Sequence, residues 1–165
     1  MTRFALIIVA VLGAAGAMAA AQATLRVEES HLDGPRALED RTAKAAVQDY
    51  VESWQTLRTA LDQNRIDVLD RDFVGNAKEK LTETIRQQVK TGLHTRYQDR
   101  SHDVQIVFYS PEGLSIELTD KVEYEEQILD KEKVVATRPV SAHYVVMLSP
   151  SETRWKVRIL QAGTD

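Results

Sequence analysis

The segment Leu114–Tyr124, LSIELTDKVEY, alternates along its length, and its apolar set of Leu114, Ile116, Leu118, Val122 and Tyr124 includes a carboxylate, Asp120. Alternate residues of a strand share one face, so Asp120 is expected among side chains that turn toward a core. Loop lengths suggest its neighbour. The loop Pro111-Glu112-Gly113 sets Ile116 opposite Phe108, Leu118 opposite Ile106 and Asp120 opposite Val104. The loop Asp130–Lys133 sets Leu129 opposite Val134 and, counting back, Asp120 opposite His143. Pro139 lacks a donor for the ladder and marks a candidate bulge; a shift there sets Tyr144 opposite Asp120 instead.

Either neighbour permits chemistry. Burial raises a carboxyl pKa and a nearby imidazolium lowers it, so such a pair is poised for proton transfer, with Asp120 as base and His143 or Tyr144 assisting. The structural alternative is that Asp120 satisfies a buried backbone N–H or a bent strand. In a binding domain packed solid Asp120→Leu is expected to stabilise the core, and in an enzyme with an open cavity it is expected to abolish turnover. The same register puts Phe108, Tyr124, Met147 and Trp155 on the inner face, where they would contact a bound apolar ligand. It puts Val107, Tyr109, Tyr144, Val146 and Leu148 on the outer face, an apolar area suited to a homodimer.

Two helices and a sheet must hold these residues. Val47, Tyr50, Val51, Trp54, Leu57 and Leu61 recur at helical steps, which predicts a long amphipathic helix over 37–62. A short helical turn is expected near Ile66–Leu69, with Phe73 and Val74 packing inward. A second helix follows over 76–91, ended by Gly92 in the left-handed C′ position. The remainder reads as four strands joined by short connections, an antiparallel meander. The fold class is α+β, with the N-terminal helices in the concave face of a curled sheet of four strands or slightly more.

The first residues, MTRFALIIVAVLGAAGAMAAAQA, have Arg3 before an uncharged stretch and small residues at several signal-peptidase spacings. Residues 1–23 are therefore expected to be a signal peptide of an exported, periplasmic or secreted protein. An uncleaved anchor is the alternative, and only then does the chain meet a membrane. Residues 24–36 read as a polar linker, ending in the turn signal Asp33-Gly34-Pro35, and 37–162 as one domain. The chain has no cysteine, which removes disulfides and thiol chemistry. A net charge of −4 without a basic stripe argues against nucleic acid. No Gly-rich phosphate loop points to a cofactor. His94 and His102, near Asp99 and Asp103, lack metal-ligand spacing and read as solvated residues at a helix–strand junction.

The layout over 40–162 resembles the nuclear-transport-factor-2-like superfamily, the α+β cone of ketosteroid isomerase, SnoaL-type cyclases and many non-catalytic exported domains. The resemblance rests on VQDYVESW in the first helix, DVLDRDFVG, the helix AKEKLTETIRQQV, and the closing strand RWKVRIL. In enzymes of the group an Asp with a His or Tyr inside the cone transfers protons, and Asp120 with His143 or Tyr144 matches those positions. The other cavity-facing strand positions here are mostly aliphatic. An exported binding domain for a partner protein or a small apolar ligand is therefore the first expectation, and an isomerase- or cyclase-type enzyme the alternative.

Overall fold

A computed structural model describes residues 23–30, 32 and 36–163. Residues 1–22 of the expected signal segment and the Asp33-Gly34-Pro35 turn lie outside them. The elements in order are β1 (Thr24–Val27), α1 (Asp40–Asp62), a 3-10 turn (Asp67–Arg71), α2 (Gly75–Thr91), β2 (Leu93–Tyr109), β3 (Ile116–Asp130), β4 (Lys133–Pro150) and β5 (Trp155–Ala162). Among the described residues no helix is long and apolar enough to cross a membrane.

Helix α1 buries Ala46, Val47, Tyr50, Trp54, Leu57, Ala60 and Leu61, the apolar stripe its periodicity requires. It starts with Asp40 in its first turn, where a carboxylate meets the positive end of the helix dipole. Helix α2 ends as expected. Gly92 adopts φ 71°, and its N–H closes on the carbonyls of Gln88 and Val89. Gly113 adopts φ 76° in the β2–β3 loop, where a Cβ would lie 2.9 Å from the Tyr109 hydroxyl.

The strands form one sheet in the order β1-β2-β3-β4-β5. Strands β2 to β5 are the antiparallel meander, while β1 pairs parallel with β2, Thr24 opposite Ser101 and Val27 opposite Val104. The sheet therefore has five strands, and Thr24–Val27, read from sequence as linker, forms its edge. Parallel pairing becomes possible because α1 and α2 lie between the two strands as a crossover.

Register slips correct several expected pairings. Leu118 opposite Ile106 and Asp120 opposite Val104 hold, but an extra residue at Val107 sets Phe108 opposite Glu117 and Tyr109 opposite Ile116. Phe108 is thereby turned to the outer face, 45% exposed, and Tyr109 turned in and buried. Leu129 does face Val134, but an extra residue at Val135 sets Asp120 opposite Tyr144 and moves His143 opposite Lys121. The shift that Pro139 suggested exists, a few residues earlier in β4. A further slip at Arg158 pairs Met147 with Ile159 and Leu148 with Val157. Val146 and Leu148 are fully buried, so of the expected outer apolar set only Val107 remains exposed.

Candidate functional site

Asp120 is inside, as its parity requires, and has 0% exposure. Its Oδ2 accepts hydrogen bonds from the Tyr50 hydroxyl at 2.7 Å and from Nδ1 of His102 at 2.7 Å. Its Oδ1 accepts from the backbone N–H of Asp103 at 3.1 Å. Helix α1 supplies Tyr50 from its buried stripe, β2 supplies His102 and Asp103, and β3 supplies the carboxylate. Three elements thus meet at one side chain.

The histidine beside Asp120 is therefore His102 and not His143. His102 was expected in solvent but is 3% exposed, opposite Val122 and diagonal to Asp120. A signal for it existed: it stands two residues before Val104 and continues the inward set Val104 and Ile106 backward along β2. Beyond it the strand slips at Arg100, so Asp99 also turns inward. Asp99 Oδ2 lies 3.8 Å from Nε2 of His102 and accepts from Arg58 Nη1 at 2.5 Å, while its buried Oδ1 has no hydrogen-bond partner among the described residues. His94 goes elsewhere, to Asp62 and the Lys131 carbonyl.

Charge follows geometry. Burial alone would lower the His102 pKa, but the hydrogen bonds and charges of Asp120 and Asp99 more than reverse this and push it up to about 9. Tyr50 is pushed well above the usual phenol range by burial and by the Asp120 charge, so it stays a hydroxyl that donates. The result is a line Arg58–Asp99–His102–Asp120–Tyr50 of alternating charge ending in a phenol.

Aromatic rings close over this line. Trp54 stands 4.9 Å from the His102 ring, 5.8 Å from Tyr144 and 6.0 Å from Tyr124, and Tyr97 stands 4.6 Å from Tyr124. Tyr144 faces Asp120 in register, yet its hydroxyl lies 3.5 Å from that of Tyr124. Burial pushes the Tyr97 and Tyr124 phenols up to about 12, and the Glu126 carboxylate, held by Arg138 through bonds of 3.1 Å and 3.1 Å, adds to it. Of the side chains expected to contact a ligand, Tyr124 and Trp155 face inward and Phe108 and Met147 outward, so the four do not form one wall.

Another fully buried carboxylate carried no signal in the sequence. Asp72, 0% exposed, follows the 3-10 turn and accepts from Thr56 Oγ1 and from Arg154 Nη1. Its carbonyl accepts from the Val157 N–H at 2.8 Å. The open apolar feature lies elsewhere. A groove of about 450 Å³ runs between β1 and α1, lined by Leu25, Val27, Val47, Val51 and Ile106, with Lys44 and Glu52 on its helical rim.

No protein-family model matches the chain, and no curated protein matches it. Among solved structures it is similar to the intermembrane space region of the chloroplast protein ARC6, at TM-score 0.61 and 17% identity over 79% of this chain and 100% of that one. It is similar to a putative scytalone dehydratase from Novosphingobium aromaticivorans, at TM-score 0.53 and 13% identity over 76% of this chain and 89% of that one. The protein Kfla4162 from Kribbella flavida gives TM-score 0.52 and 10% identity over 73% and 90%. At these identities the likeness defines the fold: the chain has the nuclear-transport-factor-2-like fold, two helices against a curled α+β sheet.

Proposed function

We propose that this is an exported, non-catalytic binding domain that takes a small apolar ligand in the groove between β1 and α1. The observation that carries the reading is the contrast between Asp120 and the groove. The carboxylate has 0% exposure and both of its oxygens already accept from protein donors, so a substrate has no open path to it. The groove is open, and Leu25 and Val27 beside it are 45% and 52% exposed. Apolar surface of this kind on a rigid scaffold favours a ligand that removes it from water.

Calorimetric titration with a series of straight-chain alcohols tests this. Affinity should rise with chain length by about 0.8 kcal/mol per methylene buried, and Val51→Asp should abolish binding while leaving the fold intact. Binding that ignores both chain length and Val51→Asp contradicts the reading.

A further inference from the structure

We propose that a second copy of this chain pairs antiparallel with the free edge of β1, in the register that sets Val27 opposite Val27, and so joins two sheets into one. Strand β1 ends the sheet, and among the described residues no strand covers its outer side. All of its residues are exposed. Its extended backbone runs on past the strand, since the Glu28 N–H donates to the Val104 carbonyl at 2.9 Å. Unpaired edges of this kind are templates for another strand, and charges placed on them usually repel it.

Here the order of charges does the reverse in one register. Leu25 and Val27 lie on the groove side, so Arg26 and Glu28 fall on the opposite face. Among the described residues neither of those two side chains has an ion-pair partner. A twofold axis that keeps the apolar residues on one face can pass through Leu25, Arg26 or Val27. An axis at Arg26 sets arginine against arginine, and like charges directly opposite are destabilising. An axis at Leu25 sets Arg26 against Thr24 and leaves Glu28 beyond the strand. An axis at Val27 sets each Arg26 against Glu28 of the other copy, two cross-strand ion pairs around a central Val–Val contact. The two grooves then lie on the same face of a continuous sheet, on either side of the junction. The pairing goes beyond the ligand reading and does not depend on what the groove binds.

The chain contains no cysteine, so Val27→Cys in the full-length protein introduces a single reporter. Opposed residues of an antiparallel pair have Cα atoms about 4.5–5.5 Å apart, within the span of a disulfide. Mild oxidation should give a disulfide-linked dimer, and the unmodified protein should sediment as a dimer. Arg26→Glu should weaken the dimer at least about tenfold, and Arg26→Glu combined with Glu28→Arg should restore it. Three results overturn the proposal: a monomer from micromolar to millimolar concentration, a dimer that the Val27→Cys variant fails to cross-link, or a dimer indifferent to the charge reversal. The second would move association to another surface, such as the outer face around Phe108.

Discussion

Asp120 and Asp72 are both fully buried, and both tie α1 to the sheet, through Tyr50 and Thr56. They differ in the cation that balances them. Asp72 leans on Arg154, whose side chain is 21% exposed and also reaches Glu52, and arginine stays charged at any ordinary pH. Asp120 leans on His102, which is buried and titrates. An inward carboxylate on a strand invites a catalytic reading. The twin at Asp72, in a turn no catalytic pattern picks out, indicates that this fold uses buried aspartates as pins between helix and sheet.

The largest effect should come from removing the pin that depends on a buried cation. With Asp120→Leu, His102, the Tyr50 hydroxyl and the Asp103 N–H lose their acceptor together, and breaking a buried pair costs about 3–5 kcal/mol. That reverses the expectation of a gain from this change, because the expectation did not include His102. Urea unfolding of the variant decides it, and unchanged or higher stability would equate Asp120 with an unneeded charge.

Next in size is the dependence on pH. The folded His102 pKa, about 9, lies above the unfolded value near 6.5, so the protonated form is the one the fold favours. Its contribution is complete below about pH 6.5 and is lost as pH rises through about 9, a fall of up to roughly 3 kcal/mol. The Asp72–Arg154 pin should lose nothing in that window. Unfolding curves at pH 6 to 10 for the native chain and for His102→Phe separate the two. The Lys131 carbonyl and Asp62 also raise His94, which adds a fall common to both chains, and the native chain should show the larger fall. The smallest effect is expected at His143, which shares the outer face with Lys121: His143→Ala should change stability by less than about 0.5 kcal/mol. A larger loss would return His143 to the interior.

Much of the frame was legible because it depends on local rules. The stripe of α1, the left-handed Gly92 and the inward parity of Asp120 each follow from short-range pattern. The partners of Asp120 were not, because strand pairing accumulates slips. Extra residues at Arg100, Val107, Val135 and Arg158 each flip the faces beyond them, and nothing in their types announces a bulge. His143 was displaced in this way and Tyr144 put in its place. His102 was hidden for a different reason: it belongs to a strand that begins at Leu93, far earlier than its apolar alternation suggests. The edge strand β1 is only Thr24–Val27, too short to show a period, and its partner lies across both helices.

The most direct measurement is an NMR pH titration of the His102 ring in the native chain and in Asp120→Asn. A closed, charged pin predicts a midpoint near about 9 that moves clearly downward when the carboxylate becomes an amide. A ring that titrates near about 6.5 and ignores the substitution would contradict the pin, and would reopen Asp120 to a catalytic role.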